Sequence, residues 1–337
     1  MTGPARQSVA IVGAGISGLR CARRLADAGV AATVFDKGRG VAGRMATRRA
    51  DGGLRFDHGA QYFTARGPAF AAAVRQWLAA GLVAEYRGRL VATAPGETRA
   101  SKPGEDARYV GVPGMNAVCK AMAEGLDVRT GTRIANLTRG RGRWSLTSDQ
   151  GLDLGRFDAV VLALPAPQVV ELLPQGDPIA EQAGAAAMAP TLTVMAAFEQ
   201  PIGAEFDAAF INDSPLAFVM REQSKPGRGG GPAAGEAWVL HAGHEWSTAR
   251  LELEPRTHVG PALAAFSEVV GGGELPSPVF ATAHRWRYAA VAKPVGAACL
   301  FDGARGIAAA GDWCLGNRVE CAFDSGGAAA EAVLTDA

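Results

Sequence analysis

Gly13, Gly15 and Gly18 are the residues of this chain whose type and spacing most narrowly define a chemistry. In Gly13-Ala14-Gly15-Ile16-Ser17-Gly18 they form a G-x-G-x-x-G turn, and Asp36 follows after a helix-length interval. Such a turn holds a diphosphate against the main chain. Gly13 permits the tight turn, and Gly15 has no Cβ to keep a diphosphate off the backbone. Gly18 lets the following helix pack close to a sheet. The helix start offers free N–H groups and a partial positive charge. Asp36 is placed to accept hydrogen bonds from both hydroxyls of a ribose, and its charge would repel a 2′-phosphate. The turn is therefore expected to bind NAD or FAD rather than NADP.

The elements that must position these residues are legible on either side. Val9-Ala10-Ile11-Val12 reads as a buried strand. Leu19, Ala22, Leu25 and Ala26 recur at helical spacing and are closed by Gly29. Ala32-Thr33-Val34-Phe35 is a second strand ending at Asp36. This context separates a dinucleotide site from an ordinary glycine turn of an α/β protein. The next segment, Lys37-Gly38-Arg39-Gly40-Val41-Ala42-Gly43-Arg44-Met45, favours FAD. A nicotinamide dehydrogenase normally continues here into another helix. A second glycine-rich loop bearing Arg39 and Arg44 can instead neutralise a diphosphate with fixed fork geometry. Taken alone, the loop would read as a solvated basic segment.

Two further segments remove that isolation: Phe56-Asp57-His58-Gly59-Ala60-Gln61-Tyr62-Phe63-Thr64, and a strand of small residues, Gly306 to Ala310, leading into Gly311-Asp312-Trp313. Both resemble the FAD-binding parts of the flavin amine oxidase superfamily. Asp36-Lys37, Gly43-Arg44-Met45, Gly59 to Thr64, Gly114-Met115, His284-Arg285-Trp286 and Gly311-Asp312-Trp313-Cys314 together look like the bacterial renalases, over nearly the whole chain. One departure is Ala42-Gly43, where the family has paired glycines.

The resemblance implies an α/β fold with a Rossmann-like FAD-binding domain of the p-hydroxybenzoate hydroxylase and amine oxidase type. It also implies cofactor contacts from the first turn, Asp36, Lys37, Arg39, Gly43, Arg44, Met45, His58, Gly59, Ala60, Gln61, Tyr62, Arg133, Ile134, Gly311, Asp312, Arg318, Val319, Glu320 and Ala322. It implies oxidation of the 2- and 6-dihydro isomers of NAD(P) by hydride transfer to FAD, with O2 reduced to H2O2. Two alternatives are an amine oxidase or other small-molecule flavin oxidoreductase on the same scaffold, and a flavin-binding sensor without turnover.

Asn317-Arg318-Val319-Glu320 fits a capping box, with Asn317 as N-cap and Glu320 at N3. Ser325-Gly326-Gly327-Ala328 supplies small residues for close packing. The resemblance places the start of this last helix at the flavin pyrimidine edge. Hydride transfer from a dihydropyridine needs ring alignment more than acid–base help, so no residue is assigned as acid or base. Tyr62, Trp286, Tyr288 and Trp313 are candidate ring walls, or core aromatics. His241 and His284 are candidate donors to substrate, or core histidines. Arg285, Arg287, Arg221 and Lys225 could meet a substrate diphosphate, or be solvated charges. In His241-Ala242-Gly243-His244-Glu245 a glycine interrupts the pattern and no helix is evident, so no metal is expected.

Bulk properties set the frame. The 337 residues are 48% hydrophobic and 20% charged, with net charge +1, which fits a globular protein with no call for nucleic acid or an anionic membrane. Met1 to Gln7 lacks the apolar core of a secretory signal. The run from Ala183 to Phe198 is interrupted by Pro190 and too small-sided for a membrane span. Cys21, Cys119, Cys299, Cys314 and Cys321 form no C-x-x-C pair and suggest reduced thiols in a cytoplasm. Cys299 and Cys314 show no attachment motif, so FAD is expected to be non-covalent.

The dinucleotide signals lie far apart in the chain, so the FAD domain is read as discontinuous, residues 1–64, 106–165 and 295–337. Residues 65–105 and 166–294 form a second domain, mostly antiparallel β, for substrate. Its candidate strands are Leu192 to Phe198, Ala217 to Arg221, Trp238 to Ala242 and Val279 to Trp286. Its candidate helices are Phe70 to Leu78, with Phe70, Val74, Trp77 and Leu78 on one face, and Arg256 to Val270. Ser224 to Pro232 reads as a flexible loop.

Overall fold

The computed structural model describes residues 8–97, 100–101, 106–228 and 235–336. Short runs of valine, isoleucine and alanine build a six-stranded sheet, in the order Leu300–Asp302, Ile307–Ala309, Ala159–Leu162, Ser8–Val12, Ala31–Phe35, Asp127–Arg129. All pairings are parallel except that of Leu300–Asp302. Val9, Ala10, Ile11, Val160 and Val161 are fully buried, as strands covered on both faces require. The register sets Val12 beside both Leu162 and Phe35, which brings Gly13, Asp36 and Ala163 to one edge. The helix Ile16–Asp27 buries Leu19, Ala22 and Leu25. Against it lies the helix Val319–Thr335, and a Cβ on Gly326 would collide with the Ser17 carbonyl, so the small residues there do permit close packing.

The second half is a seven-stranded sheet, ordered Phe280–Lys293, Ala187–Phe198, Glu236–Ala242, Leu216–Arg221, Ala208–Ile211, Leu90–Thr93, Ala100–Ser101. It is antiparallel apart from the pairing of Leu90–Thr93 with Ala208–Ile211. The helix Val259–Val270 covers it, with Phe266 against Trp238 at 5.0 Å, and stops at Gly271, whose φ of 132° suits glycine. Two strands outrun the sequence reading. Phe280–Lys293 has 14 residues and Ala187–Phe198 has 12, because each pairs along its length with the other. The helical start at Arg256 is a separate 3-10 turn, Pro255–His258.

The helix Pro68–Ala79 turns Phe70 and Trp77 onto Phe323 of the last helix, whereas Leu78 faces solvent, against expectation. A hairpin, Thr47–Arg49 with Arg55–Asp57, packs on the seven-stranded sheet. Its Phe56 is buried with Met195, Ala197 and Val239 and stacks on Phe280 at 5.3 Å. No helix among the described residues is long and apolar enough to cross a membrane.

Candidate functional site

The edge carrying Gly13, Asp36 and Ala163 opens into a cavity of about 2390 Å³, closed on the far side by His241 and Phe280–Lys293. That exceeds the roughly 300–1,000 Å³ of an ordinary small-ligand pocket and leaves room for a dinucleotide and a second molecule. Carboxyl ends of parallel strands are where open α/β sheets bind ligands.

The first turn is built as its glycines require. Gly13 has φ +110°, and a Cβ there would strike the Ala163 carbonyl. A Cβ on Gly18 would strike the Gly13 carbonyl, so Gly18 packs the helix onto the turn and does not line the cavity. Beside Gly15 there is open space, the cradle a side chain would fill. Ala14 is fully buried and off the wall, and its N–H donates to Asp36 Oδ2 at 2.7 Å. Asp36 Oδ1 accepts from Gly38 N–H at 2.6 Å. Each oxygen keeps a second acceptor position. The turn and the arginine loop are tied by Ala42 N–H to the Ala14 carbonyl at 2.9 Å. Ala42 sits at φ +102°, a conformation that disfavours a side chain.

Of the other sequence-picked cofactor residues, Ile16, Ser17, Lys37, Arg39, Gly43, Arg44, Met45, His58, Gly59, Ala60, Gln61, Tyr62, Arg133, Ile134, Gly311, Asp312, Arg318, Val319 and Ala322 line the cavity. Arg44 and Asp312 hold one another in a two-pronged ion pair, at 2.7 and 2.6 Å, and Arg44 also donates to the Ala289 carbonyl. Glu320 is a correction: it is buried off the wall and accepts the backbone N–H groups of Arg66 and Gly67. It thereby satisfies donors at the start of a different helix, Pro68–Ala79. The capping box does not form. Arg318 is the N-cap, and the Asn317 side chain accepts instead from Val291 N–H at 3.1 Å.

On the opposite wall the cavity is aromatic. The His58, His284 and Trp286 rings pack mutually at 4.3–5.1 Å, and Trp286 Nε1–H donates to the His58 carbonyl at 2.8 Å. His241 Nε2 meets the same carbonyl at 3.3 Å, so that nitrogen is the donor. Burial pushes the His58 pKa down to about 4, with His284 and Arg48 adding to it, and burial likewise takes His241 to about 4. The imidazoles are neutral near pH 7. Tyr62, Arg285, Arg287 and Tyr288 also line this part. Trp313 does not: it is fully buried and its Nε1–H donates to the Leu164 carbonyl. Arg221 is held by Asp207 and Glu236 away from the cavity. His244 starts a helix, His244–Ala249, that was not evident in sequence, and its Nδ1 faces the Pro190 carbonyl rather than His241.

A feature missed in sequence lies behind this wall. Lys225, expected as a solvated charge in a flexible loop, is completely enclosed. Its ammonium donates to Glu222 at 2.8 Å, Gln61 Oε1 at 3.1 Å and Asp57 at 3.4 Å. Arg228 bridges the same two carboxylates. Burial alone would raise the Asp57 pKa, but Lys225 and Arg228 outweigh it and hold the group below its usual range. Glu222 is pushed up by burial and by Asp57. Two acids and two bases thus cancel in the interior and fix Gln61. Residues 229–232 of the expected loop lie outside the described residues.

Two family models match the chain: an NAD(P)-binding Rossmann-like domain over residues 11–77, and the flavin containing amine oxidoreductases over residues 76–334. The second spans well over half the chain. The protein belongs to the flavin containing amine oxidoreductase family. This flavin amine oxidoreductase is 25% identical over 307 residues to mouse (Mus musculus) renalase, covering 85% of this chain and 86% of that one. In fold it matches a protein assigned as a protoporphyrinogen oxidase from Exiguobacterium sp. 255-15, with TM-score 0.79 and 16% identity over 99% of this chain and 100% of the other. It also matches cyclohexylamine oxidase from Brevibacterium oxydans IH-35A, with TM-score 0.74 and 14% identity over 98% and 99%. The amine oxidoreductase is thus a flavin-dependent oxidoreductase with a Rossmann-like dinucleotide half, as the sequence indicated.

Proposed function

We propose that the chain binds FAD non-covalently and oxidises the 2- and 6-dihydro isomers of NAD(P), in the manner implied by its similarity to renalase. The observation that carries this reading is the charge of the cavity wall. Lysines and arginines outnumber carboxylates there by more than two to one. A protonated amine is repelled by such a wall, whereas an anionic dinucleotide is drawn to it. None of the five cysteines lines the cavity, in keeping with a flavin held without a thioether.

The open space at Gly15, the Asp36 carboxylate and the Arg44–Asp312 pair fit the diphosphate, ribose and hydroxyl groups of FAD. When bound, FAD supplies a hydride acceptor whose two electrons pass to O2. In balance, dihydro-NAD(P), O2 and one proton give NAD(P)+ and H2O2. The chain's own work is alignment. Trp286 is locked to His58 by its indole N–H, and His284 buttresses both rings. Hydride loss leaves positive charge on the substrate ring. His58 and His241 are neutral, so neither opposes that charge.

Anaerobic mixing of the purified protein with amines, ordinary NADH, or a borohydride-reduced mixture of NAD isomers tests the proposal. We expect a yellow protein whose FAD is released by acid, and rapid bleaching by the isomer mixture alone. Bleaching by an amine or by NADH, with none by the mixture, would refute it and favour an amine oxidase or other reductase. Slow bleaching by every donor would favour a sensor. Gly15→Val should leave the protein colourless.

A further inference from the structure

Cations on the cavity wall fall into paired and unpaired sets. Arg44 is matched by Asp312, Arg66 by Asp106 and Arg287 by Glu252. Lys37, Arg39, Arg108 and Arg133 have no carboxylate within 4.0 Å among the described residues, and neither do Arg48 and Arg49 on the hairpin or Lys120 on the helix Ala117–Ala123, the three taken up here. The hairpin is fastened to that helix by Asn116 N–H, which donates to Thr47 Oγ1. Arg49 lies directly opposite Arg55 in the register, a like-charge pair that weakens a hairpin. Burial depresses the Lys120 pKa, and repulsion from Arg49 and Arg55 adds to it. Arg48, on the other face of the strand, is near enough to His58 and His284 to depress both. Of the unmatched cations, Arg48 thus stands beside the histidine–tryptophan wall, and Arg49 and Lys120 stand near one another on the same cavity. The repulsion between Arg49 and Lys120 costs stability unless an anion is there to relieve it.

Resting on the dinucleotide reading above, we propose that Arg48, Arg49 and Lys120 form the phosphate-binding arm of the substrate site, which holds the diphosphate of the incoming dinucleotide while its nicotinamide lies against His58, His284 and Trp286. The position separates this arm from Lys37, which has Arg133 and Asp36 near it and serves the cofactor end of the cavity. Charge-assisted bonds to a diphosphate are among the stronger polar contacts, and guanidinium groups suit its geometry.

The test compares wild type with Arg48→Gln/Arg49→Gln/Lys120→Gln, both as FAD-loaded protein. Two probes are used: ADP-ribose, which carries the diphosphate but no reactive ring, in calorimetric titration, and the NAD isomer mixture in flavin reduction. The triple variant should weaken ADP-ribose binding and raise the half-saturating isomer concentration by roughly ten- to a hundredfold, with a limiting reduction rate within about twofold of wild type. Wild-type affinity should fall with added salt, and that of the variant much less. Reduced isomers of N-benzylnicotinamide, which lack phosphate, should serve both proteins alike. If the effect is confined to the 2′-phosphorylated isomers, the arm reads that phosphate and the diphosphate assignment falls. Equal ADP-ribose affinity in both proteins overturns the proposal, even if the isomers are oxidised. If wild type oxidises no dihydropyridine, the substrate reading fails, and the ADP-ribose comparison still decides the arm. Single Arg48→Gln and Lys120→Gln variants, each expected to lose severalfold, supply the comparison should the triple variant lose its FAD.

Discussion

The hairpin between Thr47 and Asp57 carries two sets of charges that the protein treats in opposite ways. At its paired end, Asp57 is sealed inside the molecule and every oxygen is used: the Thr47 hydroxyl and Met115 N–H donate to Oδ1, while Lys225 and Arg228 meet Oδ2. Toward its turn, Arg49 faces Arg55, and Arg48 and Lys120 stand at the cavity rim without counter-charges among the described residues. A buried charge left unmatched is ruinous, so the interior set must be complete. At the rim water screens the repulsion, so an incomplete set is tolerated and becomes available to a ligand. Matched charges fasten the hairpin to the segment that follows the strand Leu216–Arg221, and unmatched ones wait for a partner from outside.

Breaking the interior set should give the largest effect. Lys225→Met leaves two carboxylates to one guanidinium and should cost about 3–5 kcal/mol in denaturant unfolding of the loaded protein. Lys225→Met/Glu222→Gln, which restores the balance, should recover most of that loss. An equal loss in the double variant would mean that packing, not charge, sets the stability. The histidines between the two sets give a smaller effect. His58 and His241 have folded pKa values of about 4 against about 6.5 when unfolded. Between those values the unfolded chain binds more protons. Stability should thus be flat above pH 6.5 and fall as pH drops toward 4, by at most about 1.4 kcal/mol per unit for each histidine. His58→Asn should make that slope shallower, and a slope unchanged in the variant would remove His58 from the account. The rim should respond least, and with opposite sign. Arg49→Gln removes a like-charge pair and should raise stability by a few tenths of a kcal/mol. A loss of more than 1 kcal/mol would show that Arg49 is structural, and would blunt the contrast between the two sets.

The cofactor half was legible because local backbone demands dictate its residues. Gly13 is demanded by its own positive φ and Gly18 by the Gly13 carbonyl five positions away, and Gly326 answers to a helix whose own spacing was readable. The matched charges were illegible for the opposite reason. Lys225 sits in a stretch of serine, proline and glycine that looks solvated, and its burial depends on Asp57 and Gln61, more than 160 residues earlier. Glu320 and Asn317 had the right spacing for a local cap, but distant main-chain donors at Arg66 and Val291 took their oxygens first. Spacing identifies what a side chain could do nearby and is silent on competitors brought in by the fold.

The contact between Gly326 and Ser17 has a consequence for biosynthesis. The glycine turn leaves the ribosome some three hundred residues before the helix that packs on it. The Ile307–Ala309 strand of the same sheet is equally late. Until both have been made the turn lacks its cover, and flavin capture is expected to wait for them. Chains truncated before residue 319 would emerge without cofactor and, lacking the cover of the last helix, with apolar surface open to proteolysis.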